Sequence, residues 1–206
     1  MKYFFDTEFI EDFYEDVFDR KRHFIELISI GIKCEDGREF YAISNEYDFD
    51  EASTWVKKNV IKPMYDELSP AEQRKWRMNE FHKHFGHSKA QIAKDIQEFA
   101  MLPFVGSAKK PEIEFYAYYG AYDWIALVTL FGIMIDLPKH FPMFVHDLKQ
   151  TMEELELDKS WKDKHCPVPA GEHNALVDAK WNFELFKKLE QVKHNERKHT
   201  KHRATA

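Results

Sequence analysis

The sequence predicts one α/β domain in which a mixed β-sheet is flanked by helices. Three strand-like segments stand near the N-terminus, and strand and helix patterns then alternate as far as residue 189. The chain has 206 residues, of which 44% are hydrophobic and 16% aromatic, so it can bury a large apolar core. This composition excludes a disordered chain, a collagen-like repeat and a coiled coil.

Three strands open the predicted sheet. Residues 2–9 combine an aromatic run with a pattern typical of a buried strand, and residues 24–33 are rich in β-branched side chains. Asp36-Gly37 is a hairpin turn signal. Residues 39–44 are therefore predicted to be the partner of the second strand.

Helices and one further strand follow. Ser88 and Gln91 match a capping box at the start of a helix that ends at Pro103 and Gly106. Residues 112–119 are a predicted strand, and Gly120 leads into an apolar helix over residues 121–131. The last two predicted helices cover residues 147–157 and 175–189.

The charge distribution divides the chain into a domain of residues 1–192 and a basic tail of residues 193–206. The tail has a formal charge of +4 and no apolar face, so we predict that it is disordered. The net charge of −6 leaves −10 on the remaining residues. Proteins that grip long nucleic acids by their phosphates are usually basic. An acidic body suits an enzyme that holds only a chain end, with metal ions neutralising its carboxylates.

Cysteine usage and hydropathy predict a reduced, soluble, cytoplasmic protein. Cys34 and Cys166 are too few for a disulfide framework. No segment approaches the roughly 20 apolar residues that a membrane span needs. Asp6 and Glu8 interrupt what would have to be the apolar core of a secretory signal. We therefore expect no membrane partner.

Two acidic side chains stand at the end of the first predicted strand. Asp6 and Glu8 are two residues apart, so they project from the same face of the sheet. They lie at the carboxyl end of the strand, where α/β folds place their sites. Neighbouring carboxylates repel each other, and a cation would compensate. Taken alone, the pair is better explained as solvation of a strand end.

Two more acidic side chains are predicted in the first turns of helices. Asp123 opens the helix of residues 121–131, and Asp178 opens the last one. Each alone is explained by a favourable interaction with the helix N-terminus, and His173 alone is typical of a surface histidine. Together, four carboxylates and one imidazole supply the ligands of two divalent cations and a general base.

These residues resemble a known family. Asp6, Glu8, Asp123, Asp178 and His173 are similar to the catalytic set of the DEDDh 3′→5′ exonucleases of the ribonuclease H-like superfamily. The chain resembles one group within this family more specifically, the polyadenylate-specific 3′-exoribonucleases (RNase AS). The matching segments are residues 6–12, 25–31, 120–123, 147–150 and 173–179. The resemblance covers residues 2–189. The segment 62–87, which is longer and more charged than in the group, and the basic tail depart from it.

The resemblance implies a ribonuclease H-like fold and a metal-dependent 3′→5′ exoribonuclease. Asp6, Glu8 and Asp178 would bind one Mg²⁺ or Mn²⁺ ion, and Asp6 with Asp123 a second. His173 would act as the general base. The substrate would be the 3′ end of single-stranded RNA, with adenylate ends preferred, and the products 5′-mononucleotides. A homodimer is also implied.

Three further residues are candidates for substrate recognition. Thr7, between the two acidic residues of the first strand, is predicted to contact the substrate. Phe9 would stack on a nucleobase or lie in the core. Glu26 is a charge within an apolar strand. It would meet an adenine edge, as the resemblance implies, or be an ordinary exposed strand residue, or form an internal ion pair.

Other conspicuous motifs receive structural interpretations. His82, His84 and His87 are predicted to lie in a solvated basic loop and not in a metal site, because no carboxylate or thiol is near them. His165-Cys166 lacks partners for a zinc site. A solvated loop is also predicted for an acidic run, which comprises Asp12, Glu15, Asp16 and Asp19.

Two other functions stay open. A DNA-proofreading or oligoribonucleotide-degrading exonuclease of the same superfamily would perform this chemistry on another substrate. A non-catalytic nucleic-acid-binding module would use the fold without the reaction. The complete set of four carboxylates and one histidine argues against the module.

Overall fold

A five-stranded mixed sheet forms the centre of the computed structural model, which describes residues 1–108 and 110–204, with side chains described as far as residue 197. In the order β3-β2-β1-β4-β5, the first three strands are antiparallel, and β1, β4 and β5 are parallel. This confirms the predicted α/β class and is consistent with a ribonuclease H-like fold. The strands are β1 (Lys2–Glu15), β2 (Lys21–Cys34), β3 (Glu39–Ile43), β4 (Glu114–Ala117) and β5 (His146–Asp147).

Helices cover both faces of the sheet. Between β3 and β4 lie α1 (Thr54–Val56), a π-helical segment (Lys57–Ile61), α2 (Lys62–Asp66), α3 (Pro70–Lys75), α4 (Phe81–Phe85), α5 (Lys89–Met101) and a 3₁₀ turn (Leu102–Phe104). After β4 come α6 (Ala121–Thr129), a second 3₁₀ turn (Met134–Asp136), α7 (Leu148–Glu154), α8 (Lys159–His165) and α9 (Ala175–Ala204). None of the helices in the described part of the chain combines the length and apolarity needed to cross a bilayer.

The first hairpin is longer than predicted. The expectation of a solvated loop is wrong for Asp12 and Glu15, which lie in β1. The strand continues in register with β2, and Glu15 lies opposite Lys21. Glu11 and His23 form one cross-strand contact, at 2.8 Å between Oε1 and Nε2. The Asp16 carboxylate, in the connecting turn, pairs with Arg20, which immediately precedes β2, and with Arg22 in β2.

Helix α9 crosses the predicted domain boundary. The helix runs past residue 192 to Ala204, and the disordered tail expected after this residue stays a prediction. This part of the helix has no apolar face, but it contains glutamate, lysine and arginine, which all have high helix propensity. An ion pair between Lys193 and Glu190, one turn earlier, at 3.2 Å, also supports the helix. Residues 205 and 206 of the predicted tail lie outside the described residues.

The histidine-rich segment is not a solvated loop throughout. His82 lies in α4 and is 1% exposed, with its ring stacked on Tyr47 at 4.0 Å between centroids. Burial lowers its pKa to about 4. The loop prediction is therefore wrong for His82, because Phe81 and its neighbours pack α4 against an apolar cluster beside the sheet. The metal clusters identified among the described residues do not include these histidines.

The alternation of β1 divides the core between two helical layers. Tyr3 and Phe5 pack into the cluster formed with α5 and α6. Phe4 points to the opposite face, where its ring centroid lies 5.0 Å from those of Phe183 and Phe186 on α9. Successive side chains of β1 therefore pack against different helices. This alternation determines which acidic side chains of β1 face α9.

Gly31 on β2 allows the start of α9 to lie directly on the sheet. A Cβ at this position would be 2.3 Å from the Ala175 carbonyl group and from the Leu176 backbone nitrogen. No side chain fits in that space. The absence of a side chain at Gly31 thus brings the first turn of α9, which carries Asp178, close to β1.

Candidate active site

Three carboxylates meet where β1 faces α9. Asp6 and Glu8 share the face of β1 that carries Phe4, and Asp178 lies in the first turn of α9. One oxygen from each of the three lies within 4.8 Å of the others. The structure thus brings these side chains together, as predicted from the sequence, although Asp178 is 170 residues from Glu8 along the chain.

The fourth carboxylate, Asp123, is held from the other face of β1. Thr7 points toward α6, and both its backbone N–H and its hydroxyl donate to Asp123 Oδ1, at 2.8 and 2.7 Å. The two side chains are 5% and 7% exposed. The Thr7 hydroxyl therefore orients Asp123, and a direct contact of Thr7 with substrate stays a prediction.

These carboxyl groups hold their protons more tightly than usual. Burial, with the nearby charges of Asp123, Glu8 and Asp178, raises the pKa of Asp6 well above its ordinary value. Burial, with the nearby charges of Asp178, Asp123 and Glu172, raises the pKa of Glu8 to about 8. Burial raises the pKa values of Asp123 and Asp178 to about 6, although hydrogen bonds donated to them act in the opposite direction. Such a cluster favours a bound cation.

His173 lies at the entrance to α9 beside this cluster. Its backbone has a φ of 69°, and its N–H donates to Asp178 Oδ2 at 2.8 Å. The imidazole meets the edge of the Trp55 ring, with centroids 4.9 Å apart. Asn174 Oδ1 accepts from the first free N–H groups of α9 and so fixes the helix start. Sequence reasoning missed Trp55, for which the only signal was a lone tryptophan in a polar segment.

The four carboxylates and His173 line one cleft of about 440 Å³. Phe9 and Tyr122 also line it, with rings nearly parallel at 11° and centroids 6.1 Å apart. Phe9 therefore lies in the cleft, and its stacking on a nucleobase stays a prediction. Sequence reasoning missed Tyr122, and its signal was an aromatic residue immediately before Asp123.

Glu26 lies elsewhere. Its carboxylate pairs with Lys89 at the start of α5, at 2.5 Å between Oε1 and Nζ. Glu26 is not among the residues that line the cleft. Of the interpretations made from the sequence, the structure displays the internal ion pair, and a contact of Glu26 with an adenine edge stays a prediction.

If Asp123 binds a cation, as the resemblance implies, Thr7→Val is expected to lower kcat/KM about tenfold to a hundredfold, because loss of a partner that orients such a ligand usually has this effect. Valine keeps the shape but removes the hydroxyl that donates to Asp123 Oδ1. Nucleotide release should be titrated against Mg²⁺ concentration. Thr7→Ser keeps the hydroxyl and is the matched control. Equal Mg²⁺ dependence of Thr7→Val and the parent would contradict this role.

Asp6 and Glu8, predicted at the carboxyl end of the first strand, lie within β1, because this strand continues to Glu15. The sheet order and the acidic cleft beside them are consistent with a protein of the ribonuclease H-like class. The chain belongs to the Rv2179c-like 3′-5′ exoribonuclease domain family, whose model matches residues 1–190. It is similar to the 3′-5′ exoribonucleases Rv2179c and MT2234.1 of two strains of Mycobacterium tuberculosis. Each is 38% identical over 191 residues, which cover 91% of this chain and 92% of the relative. These findings support 3′-5′ exoribonuclease activity.

Proposed function

We propose that this protein is a DEDDh-type exonuclease, of the RNase AS group, that hydrolyses single-stranded RNA from its 3′ end with the help of two divalent cations. The observation that carries the proposal is the approach of Asp6, Glu8 and Asp178 within 4.8 Å, next to His173. Membership of a 3′-5′ exoribonuclease family supports the substrate class and the direction.

The donor set fits hard divalent cations such as Mg²⁺ or Mn²⁺. Carboxylate oxygens are the ligands these ions prefer, and the raised pKa values reflect negative charge that lacks compensation within the protein. Asp6, Glu8 and Asp178 would hold one ion, and Asp6 with Asp123 the other. When bound, the pair would supply an acidified attacking water and a counter-charge for the departing 3′ oxygen.

The protein's own groups position the reactants. His173, on a short segment anchored through Asp178, accepts the proton of the attacking water. Trp55 limits the orientations of the imidazole. Phe9 and Tyr122 offer aromatic faces for the terminal base, and stacking of this kind tolerates any base.

A panel of substrates tests the proposed function. Poly(A), other single-stranded RNA, single-stranded DNA and duplex DNA are digested with Mg²⁺, with Mn²⁺ and with EDTA. We expect 5′-mononucleotides from RNA only when a divalent cation is present. Equal rates on DNA would favour a proofreading-type enzyme, and activity limited to the shortest RNAs would favour an oligoribonuclease. Undiminished release in EDTA would exclude the metal-dependent reaction.

The proposal extends to a preference for adenylate 3′ ends. It rests on the resemblance of the motifs, because Glu26, the residue expected to meet an adenine edge, pairs with Lys89 outside the cleft. RNAs that differ only in the last three bases measure the preference as a ratio of kcat/KM values. A ratio near one for adenylate against uridylate ends would remove it.

Divalent cations are expected to stabilise the protein more at high pH than at low pH. The pKa values of Asp123 and Asp178, about 6, and of Glu8, about 8, exceed the roughly 4 of unfolded carboxyls. The folded protein therefore binds more protons than the unfolded one. In chelator, this contribution to the free energy of unfolding is lost as pH rises from about 4 to about 8. Mg²⁺ replaces the protons at the upper end.

The measurement is the melting temperature in Mg²⁺ and in EDTA at pH 5 and at pH 8.5. We expect saturating Mg²⁺ to raise it by about 5 °C or more at pH 8.5 and by much less at pH 5. Groups outside the cleft that titrate in this range, such as His82, affect the melting temperature equally in Mg²⁺ and in EDTA. The difference between the two melting temperatures at one pH therefore excludes their contribution. An equal Mg²⁺ effect at both pH values would contradict the assignment of the ligands.

A further inference from the structure

The catalytic cleft is too acidic to guide an RNA strand by itself. Its lining contains six carboxylates, which are Asp6, Glu8, Glu11, Asp123, Glu172 and Asp178. Bound cations would neutralise part of this charge around the terminal phosphodiester. The rest of the strand, on the 5′ side of that bond, has to leave the cleft along one of its flanks, and cationic side chains there would strengthen binding of its phosphates.

One flank carries such partners. A second cavity, of about 300 Å³, adjoins the cleft and shares three lining residues with it. We call it the lysine groove, and its lining consists of Tyr118, Tyr119, Lys149, Met152, Lys159 and Lys162. No carboxylate is among the described residues that line it. It therefore combines three ammonium groups with two aromatic rings, which is the chemistry that binds single-stranded nucleic acid.

Lys162 joins the two cavities. It is only 8% exposed, and its Nζ lies 5.2 Å from the ring centroid of Trp181 and 5.5 Å from that of Tyr118. Its nearest carboxylate is that of Asp163, at 3.5 Å and on a half-exposed side chain. Burying a lysine is costly, and two aromatic faces hold this one in a single place. An ammonium group that is held in one place binds a phosphate better than a mobile surface lysine that is already in an ion pair.

The other lysines of the groove are more accessible. Lys159, at the start of α8, is exposed. Lys149 on α7 pairs with Glu153, whose side chain is 68% exposed, so a phosphate can replace this partner at little cost. Tyr119, 61% exposed and with a φ of 57°, presents its ring at the rim.

The other flanks are less suitable. The hairpin of residues 11–23, beyond Phe9, has more acidic than basic side chains, and its arginines are paired with Asp16. On the far side of α9, Lys33 and Lys180 both pair with Glu39 at 2.8 Å. In both places the cationic side chains named here already have a carboxylate partner within the protein.

We propose that the lysine groove binds the RNA segment immediately 5′ of the scissile bond, with Lys162 contacting the phosphate nearest the cleft and Lys149 and Lys159 the next ones. This inference rests on the proposed function, because it assumes an RNA 3′ end in the cleft. It adds a substrate-binding site to the proposed function. It also predicts that the groove lysines matter for long RNAs and not for a dinucleotide. Long RNAs reach the groove, whereas a dinucleotide has only the phosphate that is cleaved.

The test uses full-length protein and two charge-removing variants. Lys149→Ala/Lys159→Ala removes the accessible lysines, and Lys162→Met keeps apolar packing against Tyr118 and Trp181. Lys94→Ala is the matched control, because Lys94 also pairs with a glutamate four residues on, at 3.7 Å, and lines neither cavity. The substrates are an RNA decamer and a dinucleotide of the same bases. Binding of the labelled decamer is measured in EDTA between 50 and 200 mM salt.

For the double variant we expect KM for the decamer to rise about tenfold with kcat within about twofold, and the decamer-to-dinucleotide ratio of kcat/KM to fall about tenfold. The slope of log Kd against log salt should decrease by about 1.4, or about 0.7 for each lost contact with a single strand. Lys162→Met should show the same direction. Lys94→Ala should match the parent.

A double variant that equals the parent in decamer KM and in salt slope would overturn the lysine groove as a binding site. A parent that releases no nucleotide from RNA would refute the proposed function instead. Binding of the decamer in EDTA does not require turnover. It therefore still tests whether the lysine groove binds RNA, even if the parent protein has no nuclease activity. If Lys162→Met does not fold, the double variant decides alone, since both of its lysines are at least partly exposed.

Discussion

Asp6→Asn is expected to lower nucleotide release by about a thousandfold or more and, at the same time, to make the metal-free protein more stable. Asp6 is the carboxylate assigned to both cations, so its loss removes a ligand from each. In the metal-free protein the same carboxylate opposes folding, because burial and three neighbouring acids raise its pKa. At pH 8 the Asp6 side chain is either ionised, and repelled by the neighbouring carboxylates, or protonated, which costs free energy at this pH. Asparagine is neutral and avoids both costs.

Two measurements check this expectation. Single-turnover release of nucleotide from RNA gives the catalytic effect, and thermal unfolding in EDTA at pH 8 gives the stability. We expect the melting temperature of Asp6→Asn to lie at least about 3 °C above that of the parent, which corresponds to about 1 kcal/mol for a chain of this size. Asp12→Asn, on an exposed residue of the same strand, is the matched control.

The same variant tests the alternative of a non-catalytic RNA-binding module. Binding of RNA should persist in Asp6→Asn while turnover is lost, which separates the reaction from recognition. Turnover at the parent rate would refute the assignment of Asp6. A melting temperature in EDTA below that of the parent would show that Asp6 stabilises the fold and is not held against an electrostatic cost.

Gly31→Ala is expected to destabilise the protein by about 3 kcal/mol, at the upper end of overpacking effects, and to reduce turnover as well. The new Cβ would lie 2.3 Å from backbone atoms of Ala175 and Leu176, which cannot rotate away as a side chain can. The start of α9 would have to move off the sheet. Asp178 and His173 would move with it, away from Asp6 and Glu8.

Melting temperature and Mg²⁺ dependence of turnover measure the two effects. We expect a decrease of roughly 6–12 °C and a higher Mg²⁺ requirement. The double variant Gly31→Ala/Ala175→Gly is the control, because removing the Ala175 side chain leaves the conflicting backbone atoms in place. Recovery of stability in the double variant, or a single variant that melts like the parent, would show that this contact does not position α9.

The local pattern of the sequence was enough to predict the elements that carry the site. The alternation of β1 placed Asp6 and Glu8 on one face, and the start of α9 placed Asp178 in its first turn, because both depend only on neighbours along the chain. The same rules predicted α6 and the hairpin from β2 to β3. Resemblance at the motifs then joined these acidic residues into one set.

Features made by distant segments could not be predicted in this way. Trp55 meets His173 across more than a hundred residues, and Lys89 neutralises Glu26 from another element. The short helix α8 has a capping aspartate, Asp158, but little apolar periodicity, so its buried Lys162 was also missed. Each of these depends on which surfaces pack together.

Residue order and polarity alone were sufficient for the fold class, the positions of four acids on their elements and the presence of an imidazole near them. Tertiary packing decided how close these groups lie, which partners orient them and where positive charge adjoins the cleft. The physical reason is that backbone periodicity acts over a few residues. The free energy of burying Asp6, Asp123 or Lys162, by contrast, depends on groups that only the folded chain brings within a few ångströms.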